Sequence, residues 1–279
     1  MNFTKAAEAL HITQPAVSQH IRYIEEYYQT RLFTFQGKKP VLTEAGEYLL
    51  HAFTTLSHDQ VYLKEQLLSM QKKKPALIFG ATLTIGEYVM PRFLIEYQTR
   101  HPDTVLTMIT ANTHELLDRI SDGEIDFAIV EGYFDKTQYD YLTFSSEPYI
   151  AVAGTPLFED CRPRSLSELL DQKLIVREPG SGTREILEKH LEARNLSIHD
   201  FSGVSEIGNI PALKAVVSAG LGITFLYRSA AEEELKNGIL FDVTPENFSI
   251  THDFTLIWQK GSMFASRYRT IFEEWKKKL

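Results

Sequence analysis

The chain of 279 residues is 43% hydrophobic and sets 29 Lys/Arg against 37 Asp/Glu for a formal charge of -8, with a single cysteine, Cys161. That length holds about two domains, and the apolar share excludes a largely disordered chain. One cysteine excludes an internal disulfide and favours a reducing cytosol, no apolar run approaches the roughly 20 residues of a spanning helix, and the N-terminus lacks a secretory signal. Taken whole, the acidic balance argues against a nucleic-acid partner. The charge is uneven, however: residues 1–74 carry nine Lys/Arg and seven Asp/Glu, a net of +2, and residues 75–279 carry twenty and thirty, a net of -10. Lys72, Lys73, Lys74 and Pro75 mark the division.

In chain order, Asn2 is a good helix N-cap before the helix formers TKAAEALH. HIT interrupts, Thr13 caps a second helix, and Pro15 falls in its first turn, where the missing N–H costs nothing. Val17, Ile21 and Ile24 share one face, which turns Gln14, Ser18, Gln19 and Arg22 elsewhere. Two short helices with a polar Gln/Ser/Arg face suit a helix-turn-helix, because Gln reads adenine edges and Arg reads guanine or phosphate. On spacing alone, an amphipathic hairpin with a solvated face is the simpler reading.

The run FTKAAEALHITQPAVSQHIRYIEEYYQTRLF, followed by LTEAGEYLL, resembles the DNA-binding region of the LysR-type transcriptional regulators, and the resemblance continues through the whole chain. It implies a winged helix-turn-helix over residues 1–42. Thr13, Gln14, Pro15, Ser18 and Gln19 would lie at the bases, Arg22 at bases or backbone, and Lys38 and Lys39 of the wing QGKKPV at phosphates or in a minor groove. Phe35 stands where many members carry a basic residue, which weakens one wing contact. Members usually begin with a further helix, so either the coding start lies upstream of Met1, which is the expectation, or this product binds DNA poorly.

From Thr43 to Gln71 there is no proline, and Leu49, Ala52, Phe53, Leu56, Leu63, Leu67 and Met70 form a seam at roughly 3.5-residue spacing. A linker helix over 43–74 that dimerises as a coiled coil is expected, and the resemblance implies the same. His51 and His58 read as surface or seam residues rather than metal ligands.

Beyond Pro75, ALIFGA, TVLTMITA and IDFAIVEG read as strands alternating with helices over 85–100 and at HELLDRI, an order that predicts a parallel α/β sheet. PYIAVAG, KLIVRE, VSEI, GITFL and DFTLIWQK supply further strands, and SLSELL, TREILEKHLEARN, IPALKAVVSAG and SAAEEELKN further helices. Strands crossing near 150–154 and 254–260 would join two lobes around a cleft, about 75–152 with 258–279 and about 153–257. The resemblance implies the same two-lobed sensor over 75–279, akin to a periplasmic binding protein.

Ligands of such sheets sit beyond the carboxyl ends of strands, near helix N-termini. Thr82 and Thr84 in FGATLTIGEY and Ser181, Gly182 and Thr183 in EPGSGTREIL meet that description and favour a small anion. Capping of the helix by Ser181 or Thr183 is the plainer reading of the second segment. Asn112, Thr113, Glu131 and Asn209 are further lining candidates, although Glu131 would oppose an anion unless paired. TIGEY and EPGSGTR look most like members linked to sulfur or inorganic-carbon assimilation, which implies an oxyanion or small carboxylate.

No catalytic or metal set emerges, and no cofactor is expected. HELLD lacks the second His of HExxH, GSGTRE lacks a third Gly, SMQK has no companion motif, and the sequons at Asn2, Asn195 and Asn247 carry no meaning in a cytosolic protein. The resemblance implies a DNA-binding homodimer or homotetramer on inverted-repeat promoter sites. The alternative, a solute-binding or enzymatic α/β protein without a DNA role, has neither a signal peptide nor a nucleophile–base pair in its favour.

Overall fold

The computed structural model describes residues 2–37, 39–72, 75–156 and 163–276, so Lys38 and Cys161 lie outside the described residues. By its contacts the chain divides into two units, Met1–Ser57 and His58–Leu279.

The first unit begins with α1 (Phe3–Ala9), capped by Asn2 Oδ1, which accepts the N–H groups of Thr4 and Lys5 at 2.9 and 3.2 Å. Next comes α2 (Gln14–Tyr28), capped by Thr13, with Pro15 in its first turn. Val17 is buried and Ile21 and Ile24 are half-buried, as their spacing predicts. The wing is the antiparallel pair β1 (Phe33–Gln36) and β2 (Lys39–Leu42). Glu25 fastens it to α2: Oε1 accepts the N–H groups of Leu32 and Phe33 at 2.8 and 3.3 Å, and Oε2 accepts from Arg31 at 3.0 Å. Burial pushes the Glu25 pKa up, but these donors outweigh it and hold the carboxyl below its ordinary value. The 29-residue α3 (Glu44–Lys72) starts where the Thr43 hydroxyl accepts the Gly46 N–H, and it runs through the division between the units. Phe53, Leu56, Leu63 and Leu67 of the seam are exposed.

His58 departs from expectation. It is fully buried, its Nδ1 is 3.0 Å from Asp59 Oδ1, and Asp59 accepts from the Ser262 hydroxyl and the Met263 N–H at 2.6 and 2.9 Å. Asp59 thus ties this stretch of α3 to residues more than two hundred positions away in sequence.

The second unit continues with β3 (Ala76–Ala81), a π-wound turn over Ile85–Val89, α4 (Met90–Arg100), β4 (Val105–Thr110), α5 (Thr113–Ser121) and β5 (Phe127–Val130). The long β6 (Tyr139–Ala153) leads to β7 (Lys173–Val176), α6 (Gly182–Glu192), β8 (Gly203–Glu206), α7 (Ile210–Ser218) and β9 (Ile223–Tyr227). The chain finishes with α8 (Arg228–Lys236), β10 (Phe241–Asp242), β11 (Ile250–Gln259) and α9 (Ala265–Lys276). SLSELL is a 3-10 turn over Leu166–Leu169, too short for the α-helix expected there.

The sheet is mixed rather than parallel. Its order is β4-β3-β5-β11-β6-β9-β7-β8, with β10 also on β6. Strands β4, β3 and β5 form one parallel block and β9, β7 and β8 another. Between them β6 and β11 run antiparallel, paired from Tyr139↔Gln259 to Tyr149↔Ile250. The far end of β6 joins β9, and the far end of β11 joins β5, so each strand serves both blocks. A core of Phe79, Phe93, Phe127, Phe144, Tyr268 and Trp275 packs α4 and α9 against the first block, with Trp275 within 6.4 Å of four phenylalanine rings.

Candidate functional site

On the first unit, Thr13, Gln14, Pro15, Gln19, Arg22 and Lys39 are exposed and Ser18 is half-buried. Gln14 Nε2 donates to Ser18 Oγ at 3.0 Å across one helical turn, which holds the amide on the outward face of α2. Gln14 and Lys39 border one groove of about 680 Å³, together with Asn2, Thr4 and Gln36, so the wing and the start of α2 face a common space. Phe35 is exposed on the wing and stands edge-on to Phe3.

On the second unit, the candidate residues that converge do so on Glu131. This carboxylate follows β5 and is 2% exposed. Its Oε2 accepts the Thr82 hydroxyl at 3.1 Å, and its Oε1 accepts Thr84 at 3.3 Å and Thr183 at 2.8 Å. Thr82 and Thr84 follow β3 of the first block, and Thr183 opens α6 of the second. Thr84 and Thr183 hydroxyls are also 3.3 Å apart. The start of α6 comes so close that a Cβ on Gly182 would meet Glu131 Cγ at 2.8 Å and the Gly132 nitrogen at 3.1 Å. Only glycine fits there.

The capping reading fails for this helix: Ser181 makes no side-chain cap bond, and the Thr183 hydroxyl goes to Glu131. Glu131 is indeed paired, with hydroxyls of its own chain. Burial drives its pKa up, and the hydroxyls of Thr183 and Thr82, the Arg177 charge and Thr84 pull against that rise. Thr113 lies alongside, since a Cβ on Gly132 would meet its Oγ1 at 2.5 Å, and this buried hydroxyl has no hydrogen-bond partner among the described residues. Asn112 and Asn209 are helix caps, accepting the N–H groups of Glu115 and Ala212 at 2.9 Å each.

Several neighbours carried no sequence signal. Tyr149 of β6 donates to the Thr183 carbonyl at 2.8 Å. Arg177, at the end of β7 and 4% exposed, gives Nε and Nη2 to Glu178 at 2.8 Å, while Nη1 has no partner among the described residues. Tyr88 of the π-wound turn meets the second block: Lys214 Nζ sits 4.5 Å over its ring while donating to the Ala230 carbonyl and pairing with Glu234 at 2.6 Å. Burial, then Glu87 and Glu234, push the Tyr88 hydroxyl up to about 12, against Arg177. A π-wound segment at such a junction fits the common siting of these turns at functional places.

A winged helix-turn-helix ahead of two α/β blocks that meet at a buried polar cluster defines a ligand-responsive transcription regulator. The model of the LysR substrate binding domain matches residues 71–278, and that of the bacterial regulatory helix-turn-helix protein, lysR family, matches residues 1–47. The chain belongs to the LysR family of transcriptional regulators. It is 31% identical over 277 residues to a RuBisCO operon transcriptional regulator of Acidithiobacillus ferrooxidans, covering 98% of this chain and 88% of that one. To the HTH-type transcriptional activator CmpR of Synechocystis it is 29% identical, over 98% and 89%. The regulatory domain of Synechocystis CcmR, solved in complex with 2-PG, superposes with a TM-score of 0.65 at 20% identity, over 74% of this chain and 99% of that one. These relatives are regulators rather than enzymes, which sets aside the enzymatic and solute-binding alternatives. No helix among the described residues is long and apolar enough to cross a membrane.

Proposed function

We propose that the chain binds inverted-repeat promoter DNA in the cytoplasm as a homodimer or a pair of dimers. Residues 1–42 contact DNA, 43–74 dimerise, and 75–279 sense a small anionic metabolite in the cleft between the two blocks. The observation that carries the anion reading is the fit of one carboxylate, that of Glu131, among three hydroxyls, those of Thr82 and Thr84 after β3 and of Thr183 at the start of α6. Free N–H groups and the helix dipole at that end add to its attraction for negative charge. The 2-PG held by the similar CcmR domain supports the same class of ligand. An anion that spans Thr82 and Thr84 on one side and Thr183 on the other favours the closed arrangement of the blocks. That shift repositions the subunits and alters promoter activity, by no more than its difference in affinity for the two arrangements.

The test is a thermal-shift screen of small anions against the full chain, repeated on Thr84→Ala with Thr183→Ala. An anion that stabilises the parent chain is expected to lose at least about tenfold in affinity in the double variant. An unchanged response overturns the reading.

A further inference from the structure

The Glu131 cluster has a donor shortage that fixes what kind of anion it accepts, given that the cleft is the anion site proposed above. Each threonine hydroxyl owns one hydrogen: those of Thr82 and Thr183 go to Glu131, and Thr84 is shared between Glu131 Oε1 and the Thr183 hydroxyl, both at 3.3 Å. Burial favours a proton on Glu131, the hydroxyls and the Arg177 charge favour the ionised form, and in that ionised form the carboxylate donates nothing. The cradle thus offers an incoming ligand lone pairs and a negative charge rather than the hydrogens an anion needs. When the threonines turn to a bound anion, Glu131 is left facing that anion in a fully buried site, with Arg177, Tyr149 and Tyr227 as the charged and titratable groups around it. Two hydrogen-free oxygens cannot approach there. An anion that brings its own hydrogen removes the conflict, because its O–H donates to Glu131 while its remaining oxygens accept from the three hydroxyls. One further buried donor lies beside the cluster, Thr113 Oγ1 next to Gly132, without a partner among the described residues.

We propose that Glu131 is the specificity-determining residue of the cleft, selecting oxyanions that carry a hydrogen on one oxygen and refusing isosteric anions that carry none. Inorganic phosphate and sulfate form the discriminating pair. Both are tetrahedral oxyanions of similar size, but near pH 7 phosphate keeps at least one O–H and sulfate keeps none.

The experiment is isothermal titration of the full chain with each ion at pH 7 and matched ionic strength, on the parent protein and on Glu131→Gln. The parent protein is expected to bind phosphate at least tenfold tighter than sulfate. In Glu131→Gln, whose amide can donate, the preference is expected to vanish or reverse. Equal binding of the two ions by the parent chain overturns the proposal, and that arm needs no folded variant. A preference that survives Glu131→Gln also overturns it. If only the variant binds either ion, Glu131 is a plug rather than a selector, and the anion cleft stands without this proposal. If neither protein binds either ion, the anion reading itself falls and takes the proposal with it.

Discussion

Thr183 donates its hydroxyl hydrogen to Glu131 at 2.8 Å, joining the first turn of α6 in one α/β block to the end of β5 in the other. Fifty-two residues separate them. The bond is buried and one of its partners is a carboxylate, so it belongs among the stronger hydrogen bonds. Thr183→Val keeps the shape of the side chain and leaves Oε1 with Thr84 as its hydroxyl donor. A loss of about 1–3 kcal/mol in urea unfolding is expected, with easier separation of the blocks. Unchanged stability would mean that the contact contributes nothing net.

The face of α2 makes a separate prediction. Gln19→Ala should relax base preference at one position of each half-site by about 1–3 kcal/mol, without abolishing binding elsewhere. Lys39→Ala should weaken binding to all sequences alike and lower the salt slope by about one. Binding of a promoter panel at several salt concentrations separates the two. Identical effects of both substitutions would contradict the division of roles.

Asp126 predicts a pH dependence. Its carboxyl is buried, accepts the Ile78 N–H at 3.1 Å, and is pushed by burial up to about 7 from 3.8, with the Ile78 N–H opposing. Because the folded state holds this proton more tightly than the unfolded chain, the associated stability is fully present below the unfolded value and is lost as pH rises through about 7. Asp126→Asn retains the acceptor and cannot titrate. Between pH 4 and pH 8 its stability, followed by chemical denaturation, should fall less than that of the parent by on the order of a few kcal/mol. Parallel pH profiles would contradict the assignment.

The exposed seam of α3 predicts assembly. Leu56 is 63% exposed, and Phe53, Leu63 and Leu67 join it along the helix. A helix this long with an open apolar stripe is stabilised by a second copy. Leu56→Lys should shift sedimentation of the full chain toward the monomer at micromolar concentration. A parent chain that sediments as a monomer would remove the coiled-coil reading.

What the sequence made legible follows the range of the forces involved. Asn2, Thr13 and Pro15 act within a few residues, so the helix-turn-helix could be read locally, and the strand–helix alternation of the two parallel blocks was legible for the same reason. The first half of β6, YDYLTFSSE, is rich in polar residues and mostly half-buried or exposed, and its pairing with β11 is what makes it a strand. Without that pairing in view, the sheet reads as parallel. The helix α9 was missed because its apolar set, Tyr268, Ile271, Phe272 and Trp275, gains meaning only against the core it covers. In the cleft, the threonines were legible from their place between strand and helix. The grip on Glu131 was not, since its three hydroxyl partners lie 47 to 52 residues away in sequence. Arg177 gave no signal because its visible partner is the adjacent Glu178.

The central claim is that the two blocks close on an anion at the Thr82–Thr84 and Ser181–Thr183 segments. Amide hydrogen exchange of the full chain with and without inorganic phosphate tests it most directly. The account predicts slower exchange over 82–89 and 182–186 together, at phosphate concentrations that saturate binding. Protection confined to another region, or to only one of these two segments, would contradict it.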